Sequence, residues 1–179
     1  MADAARSGLK PVSLELGGKN PQVVFADVAS VDAVAEAVAL GVTRNSGQLC
    51  FCGSRLIVER GIADELLDKV ATRVKQVKAG PTWNEETNLP PIISAKQADR
   101  IEFILAESTK AGAEIVAGGK RFGRNGASFF EPTIVTNAGM NTLVAREEVF
   151  GPVLAVQTFE HAQEAMSMAA PPLYGLTAG

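Results

Sequence analysis

The chain has little of several things that would assign it quickly. Only two of its 179 residues are cysteine and only one, His161, is histidine. Two thiols make no disulfide framework, and a single imidazole leaves no Cys/His set for zinc. Excess positive charge is also missing. The formal net charge is −3, which leaves no footprint for nucleic acid or an anionic membrane surface. No apolar run approaches the roughly 20 residues that cross a bilayer as a helix. The first residues, MADAARSGLKPVS, lack the apolar stretch of a secretory leader. With hydrophobic residues at 46% and charged residues at 21%, the composition is that of an ordinary globular domain. A cytoplasmic, reducing location is the expectation.

What is present is an alternation of short apolar runs and helical patterns. PVSLEL (11–16) reads as a strand, with Val12, Leu14 and Leu16 on one face and Ser13 and Glu15 on the other. QVVFA (22–26), LIVE (56–59), EIVAG (114–118), PTIV and PVLAV read as five further strands. Val31, Val34, Ala35, Val38 and Val42 fall at helical spacing behind Ser30, a residue placed to cap. A second helix carries Ile62, Leu66, Leu67, Val70, Val74 and Val77, and is expected to end at Gly80-Pro81. Ser94-x-x-Gln97 reads as a capping box opening a third helix that Gly112 closes. A last helix holds Ala162, Ala165, Met166 and Ala169, stopped by Pro171-Pro172. Residues 81–93 and 118–127 read as loops. The glycines of the second loop match no phosphate-binding spacing, since no helix opens directly after them. Strand and helix alternate at βαβ intervals, which predicts an α/β fold with a largely parallel sheet flanked by helices.

Both cysteines lie in NSGQLCFCGSR, residues 45–55. A free cysteine is most often a buried small hydrophobe. Two features favour reactivity for Cys50. Asn45, Gly47 and Gly53 imply an irregular loop, where catalytic groups concentrate. The position between a helix and a strand leaves backbone N–H groups free to face a thiolate or an oxyanion. Taken singly, Glu15 fits a solvated strand residue, Glu148 a charged loop and Phe150 a core position.

Taken together, LELGGK (14–19), NSGQLC (45–50), EEVFGPV (147–153) and YGLTAG (174–179) follow one another in an order that resembles the NAD(P)-dependent aldehyde dehydrogenase superfamily. The likeness runs through essentially the whole chain. It implies that Cys50 is the nucleophile, which forms a thiohemiacetal and then a thioester, and that its N–H is an oxyanion donor. Glu15 matches the base that activates water. Glu148 matches the carboxylate on the nicotinamide ribose, Phe150 the aromatic packed near the nicotinamide, and Leu16 a backbone approach to the carboxamide. The implied cofactor is NAD or NADP, the substrate a small aldehyde made apolar in its surroundings by Leu49 and Phe51, and the full-length parent a homodimer or homotetramer. The resemblance assigns residues 1–18 to the tail of the cofactor-binding domain, as a helix end and the LELGG strand. Residues 19–179 become the catalytic domain, truncated at its C-terminal end. Most of the cofactor domain would then lie outside the chain, and the chain alone is expected to be inactive. Cys52 reads as a buried bystander or as a redox guard for Cys50. Two other functions stay open: a non-catalytic module of the same fold, and a CoA-acylating relative, against which Glu15 argues.

Overall fold

The computed structural model of the protein describes residues 2–8, 10–124, 127–170 and 173–179. The five apolar runs after Gly18 become the five strands of one sheet: β1 (Pro21–Val24), β2 (Arg55–Glu59), β3 (Glu114–Ala117), β6 (Thr133–Thr136) and β7 (Val153–Phe159). Their order across the sheet is β1-β2-β7-β6-β3. Three neighbouring pairs run parallel and the β3–β6 edge runs antiparallel, so the expected α/β class with a largely parallel sheet stands. Segment 177–179 continues the sheet beyond β1, where Val23 donates to Gly179 O at 2.8 Å and Gly179 donates to Pro21 O at 3.0 Å.

Alternate side chains of each strand enter different layers, because successive residues of a pleated strand point to opposite faces. Leu56, Val58, Ile134, Leu154 and Val156 pack under α2 (Val31–Thr43) and α3 (Arg60–Val74) through Val38, Val42, Leu66 and Val70. Val135, Val153 and Ala155 face the other way, onto Ile101, Ile104 and Leu105 of α4 (Ala95–Lys110) and Val144 of α5 (Leu143–Arg146). Ile57 and Phe159 meet Ala165 of α6 (Ala162–Ala169) on that same side of β2. Helices therefore cover both faces, as a parallel sheet requires.

The predicted caps form in part. Ser30 accepts from Ala33 N and Ser94 from Gln97 N, each at 3.2 Å. The Gln97 amide does not turn back on Ser94 to complete a capping box. It donates to Val149 O and Phe150 O instead, at 2.8 and 3.0 Å.

Three expectations are corrected. PVSLEL forms no strand: residues 10–20 are irregular, and no described strand runs beside them to accept a ladder. Alternation sets a face, but a strand also needs a hydrogen-bonding neighbour. Ahead of it, the expected helix end is the short α1 (Ala2–Arg6). The second helix stops at Val74, six residues before Gly80, because residues 78–80 bond across to 88–89. Tertiary pairing there overrides the apolar periodicity. The loop expected over 118–127 contains a hairpin, β4 (Arg121–Arg124) with β5 (Ala127–Phe130), in which Phe122 stacks on Phe129 at 5.4 Å. Pro171 and Pro172, expected to stop α6, lie outside the described residues, and α6 ends at Ala169.

Candidate active site

The cysteine loop begins where α2 ends. Asn45, Ser46 and Gly47 take left-handed φ values of 50°, 54° and 66° in succession, a conformation that only glycine and, less readily, asparagine adopt without strain. Tertiary contacts hold the strained turn. The Ser46 hydroxyl donates to Pro90 O, and Gln48 donates to Pro91 O at 3.2 Å while accepting from Ile93 N at 2.8 Å. A Cβ on Gly47 would collide with the carbonyl of Gly151, so a glycine is required for the cysteine loop to lie against the Phe150–Pro152 turn.

Beyond this turn the backbone around Cys50 is pinned on both sides. Cys52 N donates to Leu49 O at 3.0 Å, and the Asn20 amide donates to Cys50 O at 2.8 Å. The same amide nitrogen reaches Cys52 O at 2.9 Å. Among the described residues, the N–H groups of Leu49, Cys50 and Phe51 donate to nothing. Cys50 is half-buried and free; Cys52 is buried and free. The Cys52 thiol donates to Gly41 O of α2 at 2.8 Å, and burial pushes it up to about 11 despite the nearby Lys19. That environment suits an unreactive thiol.

Glu148 folds onto the LELGGK segment. Gly18 N donates to its carboxylate at 3.1 Å, and a Cβ on Gly17 would stand 2.6 Å from the other carboxylate oxygen. Arg100 holds the Glu148 carbonyl at 2.7 Å, and Glu148 N donates to the Tyr174 hydroxyl at 3.4 Å. Phe150 sits beside it in a left-handed conformation, φ 55°, with its carbonyl held by Gln97. The structure thus brings the Cys50 backbone and the Glu148 carboxylate to the Gly17–Asn20 segment, with Phe150 two residues beyond Glu148 in sequence. Glu15 and Leu16 are both exposed, and among the described residues no hydrogen bond or ion pair holds the Glu15 carboxylate.

Three residues of the cluster escaped sequence reading. Asn20 and Arg55 are buried polar side chains, and so is Lys19, whose Nζ has no hydrogen-bond partner among the described residues. Burial, with the Arg55 guanidinium adding to it, pulls the Lys19 ammonium down to about 7, while Cys52 and Glu148 oppose. Arg55 lacks a carboxylate partner among the described residues. It donates to Lys19 O at 3.2 Å and to Met168 O at 2.8 Å, so it caps the carbonyl end of α6, where a cation is favoured. The signal for Lys19 and Asn20 was available: two polar residues between Gly-Gly and a buried strand have no solvent to enter.

A pinned thiol turn at the edge of a doubly covered parallel sheet, with a carboxylate loop beside it, defines an α/β module built around a cysteine site. The chain belongs to the aldehyde dehydrogenase family, whose model matches residues 1–179. It is 41% identical over 179 residues to aldehyde dehydrogenase 1 of Tanacetum cinerariifolium, covering 100% of this chain and 36% of that protein. Among solved structures it resembles aldehyde dehydrogenase KauB of Pseudomonas aeruginosa, with a TM-score of 0.91 and 42% identity over 99% of this chain and 36% of that one. It likewise resembles an indole-3-acetaldehyde dehydrogenase solved with NAD+, with a TM-score of 0.91 and 39% identity over 99% and 36%. The chain spans about a third of the length of the relatives it matches.

Proposed function

We propose that this chain carries the acyl-transfer site of an NAD(P)-dependent aldehyde dehydrogenase, with Cys50 as nucleophile. The Cys50 thiolate adds to the aldehyde carbonyl and forms a C–S bond, leaving a thiohemiacetal oxyanion. In this reading the Cys50 N–H, which donates to no backbone carbonyl, stabilises that oxyanion. A bound nicotinamide supplies the hydride acceptor, so that the carbon is oxidised to a thioester on Cys50. Water then cleaves the thioester, releasing carboxylate and thiol. In this reading Glu15 takes the water's proton.

The residues fit one end of the cofactor. The Glu148 carboxylate, laid across two glycines that leave it room, offers oxygens to a ribose diol. Phe150 and the Leu16 backbone complete that end in this reading. Among the described residues no glycine-rich turn opens a helix to hold a pyrophosphate, so the chain by itself is expected to reduce neither NAD nor NADP when mixed with aldehydes. Steady NAD(P)H formation, followed at 340 nm, would overturn that expectation.

The observation that carries the reading is the Cys50 turn, with both flanking peptides tied down and its own amides unspent. It is tested by acylating the chain with an activated ester and locating the adduct by peptide mass spectrometry. Acyl transfer to Cys50 is expected, and Cys50→Ala should abolish it; an adduct that persists in the variant counts against the reading. One observation favours a second reading, a non-catalytic module of this fold: Glu15 is exposed and unattached.

A further inference from the structure

Asn20 joins three segments with one planar group. Its Nδ2 donates to Cys50 O and Cys52 O, at 2.8 and 2.9 Å, and its Oδ1 accepts from Thr177 N at 3.1 Å. Its own carbonyl accepts from Arg55 N at 3.2 Å, at the entrance to β2. The residue is 3% exposed, so water does not replace these bonds when they are lost. A Cβ on Gly18 would come within 2.6 Å of both Asn20 Oδ1 and Cys50 O, which leaves no slack between the amide and the carbonyl it holds.

A trans peptide points its C=O and N–H in opposite directions. Holding Cys50 O toward Asn20 therefore aims the Phe51 N–H away from it. Cys52 N, by holding Leu49 O, does the same for the Cys50 N–H. With both flanking planes set, the Cys50 thiol leaves the backbone in one direction relative to those two unspent donors. No other side chain matches this requirement. Aspartate keeps the acceptor for Thr177 but loses both donors, and serine has a single, shorter donor. Glutamine adds a methylene where Gly18 already abuts the amide.

We propose that Asn20 is the positioning residue for Cys50: by holding the carbonyls on both sides of Phe51 it aims the thiol and its neighbouring amides, and through Thr177 it makes that aim depend on the segment beside β1. The proposal rests on Cys50 being the nucleophile. It acts on carbonyl addition, in which the amides must face a developing oxyanion, and not on simple displacement by the thiolate.

The two reactions separate these effects in the 179-residue chain. With 4-nitrophenyl acetate the Cys50 thiolate attacks the ester carbonyl, a thioester forms and 4-nitrophenolate leaves. With iodoacetamide the same thiolate displaces iodide and forms no oxyanion. In Asn20→Asp the acetylation rate of Cys50 is expected to fall by roughly 10- to 100-fold, approaching the loss of one oxyanion donor, while its alkylation rate changes little. Asn20→Ser, which keeps one donor, is expected to fall in between, and it carries the test if the aspartate variant does not fold. The proposal is overturned if both rates fall by the same factor, or if the ratio of acetylation to alkylation in either folded variant equals that of the parent. Absence of acetyl on Cys50 in the parent chain removes the nucleophile reading itself.

Discussion

In residues 44–53 the strained or buried polar features are held by other elements: by Pro90, Pro91 and Ile93, by Asn20, and by the carbonyl of Gly41. In residues 12–16 the pattern is equally regular, yet Val12, Leu14 and Leu16 are 45, 53 and 57% exposed and the backbone pairs with no described strand. Both stretches carry motifs of similar clarity. The first is met by three surfaces and is held in a strained conformation; the second pairs with no described strand and takes no regular form. A motif states what a segment is suited to, and a packed neighbour decides whether it gets there.

The sharpest way to break this contrast is at Gly47. A β-branched side chain there must take φ 66° and meet the Gly151 carbonyl, so Gly47→Val should cost about 4 kcal/mol or more. Urea denaturation reads this, and a small loss would show that the loop is less constrained than its contacts require.

The next effect comes from Lys19. Its folded-state value is about 7 against an ordinary 10.5. Between those values the unfolded chain binds a proton that the folded chain lacks, so stability rises with pH. The buried Cys52 thiol acts in the opposite sense only above pH 9, since its value moves from 9.0 to about 11. Between pH 7 and 9 the Lys19 contribution should therefore approach roughly 1 kcal/mol per pH unit. Denaturation midpoints at constant ionic strength should climb across that range in the parent chain and stay nearly level in Lys19→Met. Equal slopes in both would remove the buried ammonium from the account.

The smallest effect is expected in the exposed segment. Leu14→Ser should change stability by no more than about 0.5 kcal/mol, and amides of residues 12–16 should exchange with deuterium far faster than those of Cys52 and Thr177. Slow exchange at 12–16 would erase the difference between the two regions.

The sheet was legible because a buried parallel strand needs only an apolar run between breakers, a condition that four of the five runs after Gly18 met; the fifth, β3, is an exposed antiparallel edge. The pairing of 121–124 with 127–130 was missed because the glycines and arginines there read as loop. Cys50, Glu148 and Phe150 were legible as motif members, and Cys50 and Glu148 both reach the Gly17–Asn20 segment. Arg55 was not, because a polar residue in a sequence carries no mark of whether water will reach it; Lys19 and Asn20 had only their place between Gly-Gly and a buried strand to mark them.

The amino-acid sequence by itself determined the layers: the periodicities of 2 and 3.6 select strands and helices wherever apolar area is to be buried. It also determined the chemistry on offer, one half-buried thiol and a carboxylate loop. Tertiary structure alone decided which of those groups are held. The amide of Asn20 reaches across 30 residues to Cys50 and 157 to Thr177, and Gly47 abuts Gly151 only once the sheet has brought them together. Such bonds are set by position in space, and neither spacing nor composition encodes them along the chain.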